Sequence, residues 1–156
     1  MNQNDLPYRL GVGIILLNSS NKIFVGKRID RVSESWQMPQ GGIDDGEDVT
    51  AAMFRELWEE TSVKTVEILQ ESKDWYYYDL PKELVGKVLK GKYKGQKQKW
   101  FVLKFLGDES EININTEDPE FLEYKWLEPK EIVDYIVPFK KELYQNLLNE
   151  FGELFQ

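Results

Sequence analysis

The stretch Gly41 to Val63, GGIDDGEDVTAAMFRELWEETSV, constrains this 156-residue chain more than any other. A glycine pair leads into a turn through Asp44, Asp45 and Gly46, and a helical pattern begins at about Glu47. With each helical residue advancing about 100°, Glu56, Glu59 and Glu60 stand at i, i+3 and i+4 and share one face. Met53, Phe54, Leu57 and Trp58 fall on a neighbouring arc suited to burial. Three clustered carboxylates repel one another. Arg55 can pair with Glu59 one turn on, but one arginine does not balance three acids. A hard divalent cation would, and Mg²⁺ prefers carboxylate oxygen together with substrate phosphate.

Composition narrows the chemistry further. The chain has no cysteine and no histidine, so thiol catalysis, zinc–thiolate sites and serine–histidine triads are excluded. Acid–base work falls to carboxylates, lysine, tyrosine or metal-associated water. Hydrophobic residues make up 41%, enough for a packed core and against disorder. The opening MNQNDLPYRL lacks a basic-then-apolar leader, and no apolar run approaches the ~20 residues of a membrane span. A cytoplasmic protein of one domain is therefore expected. Net charge is −8, unevenly spread: Leu80 to Phe105 holds eight lysines and one acid, a local +7 that leaves −15 elsewhere. Such a stretch can hold a polyanion locally without general stickiness to nucleic acid.

Residues 8–17 read as a strand, and 22–27 as a second, its hairpin partner across the turn NSSN. Arg28 to Ser35 is a polar loop, and Trp36 to Pro39 delivers the chain to the glycine pair. Short strands are expected at 63–69, 74–80 and 123–127, and a strong one at 99–106. Residues 81–95 and 108–121 read as loops. A helix begins at Glu128 with Pro129 in its first turn, and an amphipathic helix covers 139–151. This order predicts an α/β fold, a mixed sheet with helices on two sides.

The spacing Gly41, Glu47, Arg55-Glu56-Leu57, Glu59-Glu60, Val63 resembles the Nudix box over 23 positions. One position departs: Ser62 stands where the family carries glycine, so an altered helix end is expected there. Matches outside the box extend over nearly the whole chain: Pro7-Tyr8-Arg9, Gly11-Val12-Gly13, Trp36 to Gly42, Gly95 to Phe101, Pro119-Glu120-Phe121 and Phe139-Lys140. Together they resemble the bacterial RNA pyrophosphohydrolase branch, also described as dinucleoside polyphosphate hydrolases. Tyr78 matches the tyrosine that this branch places downstream of the box.

The resemblance implies an α/β/α sandwich with a catalytic loop–helix–loop and attack of water on a phosphoanhydride, assisted by Mg²⁺, Mn²⁺ or another divalent ion. It implies metal ligation by Glu56, Glu59, Glu60 and the Gly41 carbonyl, with Glu120 approaching from another loop. Glu47 and Arg55 would orient those ligands. Glu60 and Glu120 are both candidates for accepting the proton of the attacking water, and the sequence leaves that choice open. Arg9 and Arg28 match phosphate binders, and Gln40 and Gln96 offer hydrogen bonds to phosphate or ribose. Lys99 reads either as a substrate contact or as a cap on a strand end. Phe139 and Lys140 match a base-stacking aromatic and a phosphate-binding lysine, although an aromatic after Pro138 equally suits a core. The expected substrate is a 5′-triphosphate RNA end, with diadenosine tetraphosphate as the alternative. Lysines 82–99 read as an approach for RNA or as a solvated loop. Neither membrane nor DNA is an expected partner, and a monomer is expected. A non-catalytic nucleotide-binding module would be expected to lose box glutamates, and all four are present.

Overall fold

The computed structural model describes residues 5–29 and 36–156. Its centre is a mixed sheet. Strand β1 (Tyr8–Leu17) runs parallel to β7 (Gly95–Phe105) through ten registered pairs, from Tyr8↔Gly95 to Leu17↔Lys104. On one side of β1 lie β2 (Ile23–Arg28) and β3 (Trp36–Gln37), with β8 (Phe121–Leu127) antiparallel to β2. The short β4 (Gln40–Gly42) pairs with β1, setting Gly11 against Gly42 and Gly13 against Gln40. On the far side, β5 (Val66–Glu71) pairs with the C-terminal half of β7 and β6 (Tyr76–Asp79) with its N-terminal half.

Alternation along the strands sorts side chains onto two faces. Val12, Ile14, Leu16, Phe101 and Leu103 face helix α1 (Val49–Thr61), which supplies Ala52, Met53 and Leu57. Ile15, Leu17, Trp100 and Val102 face the other way, against α2 (Ile132–Tyr135) and α3 (Lys141–Glu150). Fully burying side chains such as Met53 and Leu57 contributes about 1.5–3 kcal/mol each, and this anchors α1. The result is the expected α/β/α arrangement. No helix among the described residues is long and apolar enough to cross a membrane.

Boundaries moved where local chemistry outweighed pattern. Helix α1 starts at Val49 rather than Glu47 because Asp48 caps it, accepting from the Ala51 amide at 3.1 Å. The expected strand at 99–106 begins four residues earlier, since Gly95 to Gln98 pair with both β1 and β6. The helix expected from Glu128 is a 3₁₀ turn, Pro129–Glu131, followed by the single turn of α2. Most of the polar loop 28–35 lies outside the described residues.

The buried arc of α1 also differs from the expected one. Phe54 and Trp58 are 40% and 48% exposed, whereas Glu60 and Thr61 are buried. Ala52, Met53 and Leu57 turn the helix so that Glu56 and Glu60 share its inward arc. The carboxylates do not flank the apolar face; they are part of it. Ser62 ends α1 without the expected alteration. It takes the left-handed conformation (φ 66°, ψ 10°), its amide bonds the Trp58 carbonyl, and its hydroxyl donates to the Asn113 carbonyl at 2.9 Å.

Candidate active site

Arg55 gathers one side of the site. Its Nε and Nη2 donate to the two Glu47 oxygens at 2.7 and 2.8 Å, and Nη2 also donates to the Gly42 carbonyl at 2.9 Å. Nη1 donates to Glu56 at 2.9 Å and Glu59 at 3.1 Å. Glu47 lies outside the helix, where its carboxylate also accepts from the Asp44 amide and so closes the turn. The Arg55 bond and that amide hold the Glu47 carboxyl down at about 2.

Glu56 shows which effect wins deeper in. Burial pushes its carboxyl up to about 6, against the lowering pull of Arg55 at hydrogen-bond distance. Glu59 adds repulsion and Arg9 opposes it. The Glu56 carboxylate lies directly on the glycine turn: a Cβ on Gly41 would come within 2.0 Å of its carboxyl carbon. A Cβ on Gly42 would come within 2.4 Å of the Arg9 guanidinium. Each glycine therefore makes room for a different charged group.

Glu60 is buried, and its carboxyl is held well above the usual range. Desolvation is the largest cause; Glu56 and Glu120 add repulsion, while a backbone hydrogen bond from Gln40 and the charge of Arg28 oppose it. Its Oε2 has no hydrogen-bond partner among the described residues. Glu120, carried in front of β8, faces Glu56, Glu59 and Glu60 across a cleft of about 470 Å³ that Thr116 and Asp118 also line. Among the described residues, no three carboxylates already stand together as an ion cage. The donor chemistry nonetheless suits a divalent cation. Glu56 and Glu60 repel each other, both hold protons too tightly for ordinary surface acids, and one buried oxygen lacks a partner.

A second polar set lies on the sheet face that α3 covers. Arg28 donates to Gln37 Oε1 at 3.3 Å, and the buried Lys140 donates to the same oxygen at 3.0 Å and to Gln40 Oε1 at 3.5 Å. Gln40 Nε2 donates to the Tyr78 hydroxyl at 3.3 Å. Burial raises the Tyr78 hydroxyl, with Gln40, Arg28, Arg9 and Gln96 opposing. Gln98 links Gln96 to Trp100: its Nε2 donates to Gln96 at 3.3 Å and its Oε1 accepts from the indole at 3.0 Å. Phe139 packs 5.9 Å from Tyr78, ring centre to ring centre, and both line a second cleft of about 380 Å³.

The structure thus brings together Glu56, Glu59, Glu60 and Glu120 around one cleft, with Arg55 and Glu47 behind them, and gathers Arg28, Gln40, Tyr78, Gln96, Phe139 and Lys140 nearby. Arg9 spans the two sets, lying against Gly42 and acting on both Glu56 and Tyr78. Lys99 is placed elsewhere. Its ammonium donates to the Ser72 and Lys73 carbonyls at 2.9 and 3.2 Å and pairs with Glu71 at 3.6 Å. Gln37 and Gln98 were not singled out from sequence. The alternation in GQKQK carried that signal for Gln98, because period two puts Gln96 and Gln98 on one face and Lys97 and Lys99 on the other.

A mixed sheet between helices, with a glycine turn feeding a glutamate-bearing helix, defines a class of protein. The NUDIX domain profile matches residues 7–147, and the chain belongs to that family. More particularly, it is 50% identical over 153 residues to an RNA pyrophosphohydrolase of Pelagibacter ubique, covering 98% of this chain and 97% of that protein. It is likewise 50% identical over 150 residues to an RNA pyrophosphohydrolase of Dinoroseobacter shibae, covering 95% and 94%. The dihydroneopterin triphosphate pyrophosphohydrolase of E. coli shares the fold with a TM-score of 0.70 at 17% identity, over 88% of this chain and 94% of that one.

Proposed function

We propose that this protein is a Mg²⁺-dependent RNA pyrophosphohydrolase, which hydrolyses the 5′-triphosphate end of RNA to a monophosphate and releases pyrophosphate. The observation that carries this reading is the opposition of charge across Gly41–Gly42: carboxylates on the α1 side, Arg9 on the other. A polyphosphate satisfies both sides at once, and relatives at 50% identity carry this activity in their names.

Glu56, Glu59 and Glu60 would hold the divalent ion, with the Gly41 carbonyl beside them. The bound ion supplies positive charge against the phosphate oxygens and eases deprotonation of the attacking water. The protein's own part is positioning and charge complementarity, as in phosphoryl transfer generally. Arg55 fixes Glu56 and Glu59 in orientation through Glu47 and the Gly42 carbonyl. Arg9, Arg28 and Lys140 receive the phosphates, with Gln40, Gln96 and Tyr78 as hydrogen-bonding partners. Phe139 offers its ring to the first base. Glu60 and Glu120 both line the cleft, and either accepts the proton of the attacking water.

The test is a side-by-side assay in Mg²⁺ of a 5′-triphosphate RNA and diadenosine tetraphosphate, reading products and kcat/KM. Preference for RNA with monophosphate ends supports the reading. Preference for the dinucleotide keeps the chemistry and replaces the substrate. Nucleotide binding without turnover of either overturns catalysis.

A further inference from the structure

Helix α1 does not cover its whole sheet face. At the β6 edge, cross-strand partners Leu10, Lys97 and Tyr77 form a row across β1, β7 and β6, each on the side α1 occupies further along. Leu10 is 47% exposed and Tyr77 is 54% exposed. Tyr8 packs edge-on to Tyr77 with ring centres 5.1 Å apart, and its hydroxyl donates to Asp79. Lys94 sits 4.8 Å above the Tyr8 ring, and Lys97 lies 5.3 Å from the Trp75 ring and 5.7 Å from the Tyr77 ring. These lysines belong to the lysine-rich stretch 80–105, a local +7 in a chain of net charge −8. Neither forms an ion pair among the described residues.

The row also reaches the catalytic turn. The Leu10 carbonyl accepts from the Ile43 amide at 3.0 Å, next to Gly41 and Gly42. Tyr8 and Tyr77 line the same cleft as Tyr78 and Phe139. With strands about 4.8 Å apart, Tyr77 lies about 10 Å across the sheet from Leu10. The exposed Tyr77 ring, with the half-buried rings of Tyr8 and Trp75 beside it and lysines between them, matches single-stranded nucleic acid: bases stack on rings and phosphates take the ammonium groups.

We infer that this uncovered sheet face, centred on Tyr77 and Lys97, is a docking platform for the single-stranded RNA that follows the 5′ end held in the catalytic cleft. It rests on the RNA reading above and adds a length dependence to it: a longer strand engages the platform more fully than a dinucleotide.

The experiment compares wild type, Tyr77→Ala and Lys97→Glu on a 5′-triphosphate dinucleotide and on a 5′-triphosphate RNA of about twelve nucleotides. The expected result is a roughly tenfold rise in KM on the long RNA for each variant, with a clearly smaller rise on the dinucleotide. Equal effects on both substrates, or none, overturn the platform. A second readout needs no turnover: fluorescence anisotropy of a 5′-hydroxyl RNA of the same length. Salt-sensitive binding weakened in both variants supports the platform, and absence of binding to wild type overturns it. If wild type binds this RNA but cleaves no triphosphate end, the proposed function fails and the platform stands. If it cleaves and the variants behave as wild type on every length, the platform fails and the function stands.

Discussion

Glu56→Gln separates what the carboxylate does for chemistry from what it costs the fold. The substitution keeps the volume and an acceptor for Arg55 but removes the charge. In the folded protein the Glu56 carboxyl is raised from 4.5 to about 6 by burial. A carboxyl raised in this way binds its proton more tightly folded than unfolded. Its contribution to stability is therefore full below about 4.5 and is lost as pH rises through about 6. At about 1.4 kcal/mol for each tenfold change in proton affinity, the loss is about 2 kcal/mol. Solvent screening takes little from this, because the side chain is only 14% exposed. Glu60 acts in the same direction. Glu47 acts oppositely, but its window runs from 4.5 down to about 2 and does not overlap. Urea denaturation with a chelator present, from about pH 5 to 7.5, reads the effect. Wild type is expected to lose stability across that window, and the variant to lose less by about 1.2 kcal/mol, the share of the roughly 2 kcal/mol that remains above pH 5. Mg²⁺ added at the upper pH is expected to restore wild type far more than the variant. Parallel curves for the two proteins, or equal rescue by Mg²⁺, would refute both the burial argument and the assignment of Glu56 to the ion.

Gly41→Ala should lower kcat about a hundredfold, because the new Cβ must push the Glu56 carboxylate aside by more than an ångström; Gly42→Ala, which displaces Arg9 instead, should act mainly on KM. Steady-state kinetics on triphosphate RNA distinguishes the two, and identical profiles would contradict the two-sided arrangement. Arg55→Lys should raise the Mg²⁺ concentration for half-maximal rate about tenfold, because one ammonium cannot bridge Glu47, Glu56, Glu59 and the Gly42 carbonyl together; a metal titration checks this. Ser62→Gly should change stability by less than about 1 kcal/mol, since relief of the left-handed backbone is offset by the lost bond to Asn113 and by a freer unfolded chain. Activity should be unchanged, and a tenfold loss would show that the helix end shapes the site.

The carboxylate side of the site was legible because it is local. Glu47, Arg55, Glu56, Glu59 and Glu60 lie within fourteen residues, on one helix and the turn before it; helical spacing predicts that Arg55, Glu56, Glu59 and Glu60 meet, and the family resemblance adds Glu47. Apolar pattern could not fix how the helix rolls. Phe54 and Trp58 are as hydrophobic as Met53 and Leu57, and only the docking of the helix against the sheet decides which pair is buried. The cation side was less legible, since its members come from β1, β2, β3, β4, β6, β7 and the turn before α3. Gln37 meets Lys140 from over a hundred positions away, a pairing that no local periodicity encodes. Lys99 illustrates the reverse case. Its charge suits phosphate, but the strand alternation that turns Gln98 toward α3 turns Lys99 the other way, onto the Ser72 and Lys73 carbonyls.

The two-sidedness has one structural source. Consecutive residues of a strand point to opposite faces, so a pair of glycines in β4 opens a gap on each face at the same height of the sheet. Glu56 closes from the α1 side over Gly41, and Arg9 closes from the α3 side over Gly42. The backbone between them carries no side chain to hold the opposite charges apart, and the Gly42 carbonyl is itself clasped by Arg55. Charge alternation across a site normally needs several elements placed independently. Here a single extended dipeptide sets the separation, and the parallel β1–β7 pairing behind it keeps that dipeptide from shifting. In the proposed reading Arg9 would grip phosphate oxygens from one face while Glu56 would help to hold the divalent ion from the other, so the glycine pair, rather than the helix alone, would couple substrate grip to chemistry.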